Sequence, residues 1–169
     1  MASISLSSPT LIICQFSDSR TYVRTLTKIA VLNPSDIITP NGISSFSNAD
    51  PSMTKLYNDV AGKFPGASII EVHRKYFSET RGLQMVKHLC ALEYSSVELQ
   101  LRHKYYALAA AACLLKYVEF IENIIYAPKV SYYSLTGFLI FYFIHHIDCN
   151  CYNFFLRVSK WNFKLLLML

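Results

Sequence analysis

Leu11 to Phe16, "LIICQF", is an apolar, partly β-branched run after Ser7–Pro9, and it reads as a buried strand entered through a tight turn, with a shorter extended run before it. Ser17, Asp18 and Ser19 follow, and any of them can cap a helix over "RTYVRTLTKIAVL". In that helix Tyr22, Val23, Leu26, Ile29 and Ala30 share one face. "NPSD" stops it, and "IITP" is a short strand closed by Pro40. "NGISSFSNADPS" reads as a loop, "MTKLYNDVAGKF" as a second amphipathic helix ended by Pro65-Gly66, and "ASIIEVHRKYF" as a strand. Ser78 then opens a third helix over "ETRGLQMVKHLC", where Glu79 complements the positive end of the helix dipole.

The order is strand, strand, helix, strand, helix, strand, helix, which predicts an α/β layer with parallel strands. It opens on two strands with no element before them, so the pattern predicts a sheet whose upstream part is missing. A long helical stretch follows, "LEYSSVELQLRHKYYALAAAACLLKYVEFIENII". Tyr94, Val97, Leu101, Leu108, Ala111, Leu115, Val118 and Ile125 keep a three-four spacing, interrupted by Lys104 and Glu122. The small run Ala109–Ala112 would let another helix approach closely. The stripe is expected to need partners that this chain does not supply.

From Val130 the pattern dissolves. Val130–Ile147 carries no formal charge, "NFKLLLML" forms a second apolar burst, and no cap, turn or constant period organises either. Composition sharpens the break. Hydrophobic residues make up 53% of the chain and charged ones 16%, but residues 130–169 hold 11 of the 24 aromatics and only Arg157, Lys160, Lys164 and Asp148 as formal charges. That leaves 13 basic and 10 acidic residues before Val130, a net +3 too weak to argue nucleic-acid binding alone. A membrane anchor needs about twenty predominantly apolar residues, and this segment includes Ser131, Ser134, Thr136, Gly137, His145 and His146. A metal site on His145, His146, Cys149 and Cys151 would need a Cys-Asn-Cys pair spaced too tightly for structural zinc. The five cysteines, Cys14, Cys90, Cys113, Cys149 and Cys151, are odd in number and suit buried thiols in a reducing compartment. "MASISLSSPTLIIC" has neither the basic region nor the unbroken apolar core of a signal peptide.

The densest basic region is His73, Arg74 and Lys75, with Arg81 and Lys87 nearby. Arg74, Lys75, Arg81 and Lys87 are the candidate contacts to phosphate or to an acidic partner surface; a solvated strand end and helix face is the plainer reading. Arg102, His103 and Lys104 belong on an exposed helix face by the same reasoning. Asp18, Asp36 and Asp59 are scattered near helix ends, where capping accounts for them, and they assemble no carboxylate cluster for two-metal chemistry. Gly62-Lys63-Phe64 lacks the first glycine and the hydroxyl residue of a phosphate-binding loop, so it reads as a helix end with a solvated lysine.

Three separated blocks, "QFSDSRTYVRTLTKIAVLNPSDII", "HRKYFSETRGLQMVKHLC" and "KYYALAAAACLLKYVEFIENIIYAPK", together resemble the meiotic, fourth-homologue branch of the MutS mismatch-repair family. The resemblance covers about residues 1–129. It implies an incomplete connector domain of ribonuclease-H-like α/β topology over 1–91, its N-terminal part missing, then the first long helix of the core (lever) domain over 92–129. Residues 130–169 are then a non-homologous, unpatterned apolar tail. Val130-Ser131 is what GTAAGT or GTGAGT encodes directly after a lysine codon, so the favoured reading of the tail is a translated intron. The Phe77-Ser78-Glu79 and Phe120-Ile121-Glu122 strings match the family's mismatch-reading triplet but fall in the wrong domain.

For the full-length family the resemblance implies ATP and magnesium as cofactors and the fifth MutS homologue as heterodimer partner. It also implies branched or mismatched DNA as ligand, a role in meiotic crossing-over, and a place on chromosomes in the nucleus. This chain lacks the ATPase motif, so a non-catalytic interaction and relay module with no cofactor of its own is expected. The alternative is a tail-anchored membrane adaptor with an α/β head.

Overall fold

The computed structural model describes residues 1–5, 10–41, 51–89, 101–121, 123, 151–155 and 164–167. Two short strands open the chain, β1 (Ala2–Ser5) and β2 (Thr10–Cys14), paired antiparallel with Ile4 opposite Leu11. Helix α1 (Val23–Leu32), strand β3 (Asp36–Pro40), helix α2 (Pro51–Lys63) and strand β4 (Ser68–Val72) follow, with β3 and β4 parallel. A 3₁₀ turn over Arg74–Tyr76 leads into α3 (Glu79–Leu89), and α4 (Tyr105–Ile121) is the longest element among the described residues. The alternation read from the sequence is therefore present, and the class is mixed α/β.

The sheet has two more strands, β5 (Cys151–Phe155) and β6 (Lys164–Leu167), and its order is β4-β3-β6-β1-β2-β5. Both come from the segment read as an unpatterned tail. These nine residues pair into the sheet, β5 with β2 and β6 between β1 and β3. The uncharged stretch Val130–Ile147, with His145, His146 and Cys149, lies outside the described residues.

Neighbouring residues of a strand point to opposite faces, so β3 shows how the layers divide. Ile38 packs in one core with Ala2, Ile4, Leu11, Ile13, Val86 and the buried residues of α4. Ile37 packs in another with Leu26 and Ile29 of α1 and Leu56 and Val60 of α2. Helices α3 and α4 thus cover one face, α1 and α2 the other, and β1 and β3 are largely buried between them.

Several local expectations shift. In α1 only Leu26 and Ile29 are buried; Val23 is 57% exposed and Ala30 also faces water, so the apolar face is narrower than the spacing suggested. Asn33 ends the helix in the left-handed region, φ 44°, with its N–H returned to the Ile29 carbonyl. β4 stops at Val72, because His73 Nδ1 accepts the Lys75 N–H at 3.1 Å and turns the chain into the 3₁₀ segment. The helical stretch is broken at Arg102-His103-Lys104, a turn in which the Lys104 N–H donates to the Leu101 carbonyl. Lys104 is buried there, not on an exposed helix face, while Arg102 and His103 are exposed.

For the described part of the stripe, Leu101, Leu108, Ala111, Leu115 and Val118, the expectation of missing partners is overturned; Tyr94, Val97 and Ile125 lie outside the described residues. Ala107, Leu108, Ala110–Leu115 and Val118 are all buried, against α3 on one side and β1, β2 and β6 on the other. A helix buried nearly all round shows no clean stripe. The small residues do admit a close neighbour: Gly82 of α3 sits so near the backbone of Leu108 that a Cβ there would lie 2.0 Å from its carbonyl oxygen.

Candidate functional site

Because β1 is antiparallel to β2 and to β6, and β6 is parallel to β3, the carboxyl ends of β2, β3 and β4 all lie at one edge of the sheet. That edge opens on a crevice of about 640 Å³ lined in part by Cys14, Gln15, Asp18, Pro40, Arg74 and Tyr106. In open α/β sheets this is where ligands are received.

The first turns of α1 and α4 border the crevice, and both are already satisfied by side chains of the segment after β2. Asp18 accepts the Thr25 N–H at 2.7 Å, the Thr25 hydroxyl at 2.8 Å and, more weakly, the Arg24 N–H at 3.3 Å. Burial pushes the Asp18 carboxyl up, but these bonds and the Ser19 N–H together outweigh it and hold the group below its ordinary range. Gln15 Oε1 accepts the N–H groups of Tyr106 and Ala107 at 3.1 and 3.3 Å, capping α4 from about ninety residues away in sequence. Asp18 and Gln15 therefore hold helices in place. Asp18 as a cap was legible from the sequence; Gln15 was not, since nothing local marks a glutamine as the cap of a helix so distant.

Arg74, Lys75, Arg81 and Lys87 are all exposed. Arg74 lines the crevice, and Lys75 sits beside it with its ammonium 5.1 Å from the Tyr76 ring centroid. Arg81 belongs to the first turn of α3, where its N–H makes a long 3.4 Å bond to Ser78 Oγ. Lys87 is in the last turn. Arg81 and Lys87 are six helical positions apart, roughly 9 Å of axial rise and about a third of a turn off alignment. The structure thus places Arg74 at the crevice, with Lys75 next to it in the chain, and spreads Arg81 and Lys87 along α3. Such exposed cations can meet an anionic surface; they do not converge on one small ligand.

Gly62 and Lys63 close α2, and Phe64 packs into the second core. A phosphate needs the N–H groups of a helix N-terminus, whereas this end presents carbonyls. These residues do not fit ATP. Asp36 begins β3, where it accepts the Ser35 hydroxyl, and Asp59 lies inside α2, so among the three scattered aspartates only Asp18 caps a helix. Phe77 packs at the rim of the first core, while Phe120 is 79% exposed. Cys14 and Cys113 are buried, and desolvation pushes the Cys113 thiol up to about 12. Among the described residues no group of three or more His, Cys, Asp or Glu side chains could hold a metal ion, and no helix is long and apolar enough to cross a membrane.

Residues 1–128 match the family profile described as MutS domain II. The chain is 46% identical over 129 residues to MutS protein homolog 4 of Mus musculus and 44% identical over 129 residues to MutS protein homolog 4 of Homo sapiens. It is 35% identical over 112 residues to MutS protein homolog him-14 of Caenorhabditis elegans. These alignments cover 76%, 76% and 66% of this chain, which spans about 13% of the length of each relative. No solved structure matches.

Proposed function

The chain belongs to the MutS family, and from that premise we propose that it carries the connector of a meiotic MutS homologue and works as an interaction and relay module without catalysis of its own. The observation that carries this reading is the MutS domain II match along residues 1–128, joined to identities of 44–46% with relatives named MutS protein homolog 4. The core of α4 is continuous with that of β1 and β2, which supports taking the connector through this helix instead of ending it at residue 91.

In the full-length context the connector would pass nucleotide state between an ATPase and DNA-embracing levers. The fifth MutS homologue would be the heterodimer partner, branched DNA the ligand and meiotic crossing-over the outcome, on chromosomes in the nucleus. Arg74, which lines the crevice, and its chain neighbour Lys75 are the proposed contacts to phosphate or to an acidic partner, with Arg81 and Lys87 extending the cationic surface along α3. Neutralising one phosphate releases its counterions, so removing one such cation flattens the salt dependence of DNA binding by about one unit of slope.

Co-precipitation of the tagged 169-residue chain with the fifth MutS homologue tests the reading. Capture that falls when Arg74 and Lys75 are both replaced by glutamate is the expected result. A folded chain that captures neither that partner nor branched DNA would overturn it.

A further inference from the structure

β1 and β3 do not pair with each other; each pairs with β6, one antiparallel and the other parallel. Both flanking strands lie inside the 128 residues matched by MutS domain II, and β6 lies outside them. The described residues of the matched region thus build two separate ladders, β1–β2 and β3–β4, with room for one strand between.

That place is covered on both sides. α4 packs over β1, β6 and β2 on one face, and α1 meets β6 on the other. Ala2, Ile4, Ile37 and Ile38 of the flanking strands are at most 2% exposed. Left empty, the inner edges of β1 and β3 would bury rows of unpaired N–H and C=O groups, each a substantial cost.

We propose that the middle of the sheet is a strand-acceptor slot and that Lys164–Leu167 fills it from within the same chain. The flanks define what the slot accepts: a short extended segment, parallel to β3 and antiparallel to β1. It must be apolar at successive positions instead of alternate ones, because a strand covered on both faces has no wet side. "LLL" meets that requirement. By register, positions 165 and 167 stand opposite Ile4 and Ala2, which belong to the core under α4. Position 166 stands opposite Ser3 and beside Ile37, which belongs to the core under α1 and α2. The requirement is loose enough for a segment without counterpart in the matched region to satisfy it. The slot rests on strand order alone and is independent of the partners proposed above.

Disulfide trapping in the full 169-residue chain tests the slot. Ser3 and Leu166 are direct cross-strand partners, and the Cα separation of such a pair, about 4.5–5.5 Å, falls inside the range a disulfide spans. The Ser3→Cys/Leu166→Cys chain, oxidised and mapped by mass spectrometry, is expected to give the linked peptide pair in the monomer fraction. Ser3→Cys/Leu165→Cys, one residue out of register, should lose most of that product. Hydrogen exchange of the Leu166→Pro chain should show lost protection in β1 and β3, recovered on adding a peptide of residues 161–169. A link found only in a disulfide dimer would put a second copy's strand in the slot and overturn filling in cis. Equal yields from the two cysteine pairs, or unchanged protection in Leu166→Pro, would overturn the slot itself.

Discussion

Replacing Gly82 with alanine adds one carbon where α3 crosses α4. That Cβ would lie 2.0 Å from the carbonyl oxygen of Leu108, 2.7 Å from its carbonyl carbon and 3.3 Å from its Cα, whereas ordinary contact begins near 3.4 Å. All three atoms are backbone, so no rotamer change relieves the clash. The helices must separate, and the packing of Val86 against the buried run of α4 separates with them. Overpacking of this kind costs about 1–3 kcal/mol, and rigid backbone on both sides places Gly82→Ala toward the upper end. Alanine's helix preference over glycine returns about 1 kcal/mol. The net is a destabilisation of about 2 kcal/mol, which lowers the melting temperature of a chain this size by roughly 4–8 °C. Gly62, inside α2 with nothing within 4 Å of its added Cβ, supplies the matched control. There the same substitution should stabilise by about 0.4–1 kcal/mol. Urea and thermal denaturation followed by circular dichroism read both changes. Two stabilising substitutions would refute the close crossing of α3 and α4, because only that crossing separates the two glycines.

Gln15→Ala removes the acceptor for the Tyr106 and Ala107 N–H groups; a loss of about 1 kcal/mol in denaturant unfolding is expected, with Gln15→Glu recovering it because a carboxylate suits the same helix end. The Asp18 carboxyl is held below its ordinary value of 3.8 in the folded chain, so its stabilising contribution is complete above that pH and is lost as pH falls through the lower folded value; Asp18→Asn should flatten that acid limb in a pH-resolved unfolding series. The Cys113 thiol is raised from 9.0 to about 12, so its contribution is complete below about pH 9 and declines as pH rises from there. Iodoacetamide at about pH 8 should leave it unlabelled until denaturant is added. Thr39, whose buried hydroxyl has no hydrogen-bond partner, should tolerate replacement by valine with a gain of up to about 1 kcal/mol in the same unfolding assay.

What the sequence made legible is what local chemistry encodes. Asn33-Pro34 marks the end of α1, Pro40 the end of β3, and Ser78 the start of α3, since each acts through its own backbone or its nearest neighbours. Leu26 and Ile29 mark a core-facing stripe because α1 has one dry and one wet side. The same logic fails where both sides are dry. α4 buries residues at nearly every position from Ala107 to Leu115, so its pattern carries no direction and suggested a helix awaiting other partners. Long-range bonds fail for another reason: Gln15 acts on Tyr106 and Ala107, and no window of sequence contains both ends.

β6 joins these two causes. Its leucines follow one another without alternation, which in isolation is the mark of unpatterned sequence. Between flanking strands buried on both faces it is what the position demands, because alternation records a wet side. Its partners, β1 and β3, are more than a hundred residues away, so its register could only be set by the ladders that receive it. The absence of a period therefore separates poorly between sequence that does not fold and sequence that folds into the middle of a layer. Deciding between them needs the surroundings, here two flanking strands that do not pair with each other. The cross-strand pair Ser3 and Leu166 is where that distinction becomes measurable, since an unstructured tail would reach position 3 from positions 165 and 166 equally, and a strand would not.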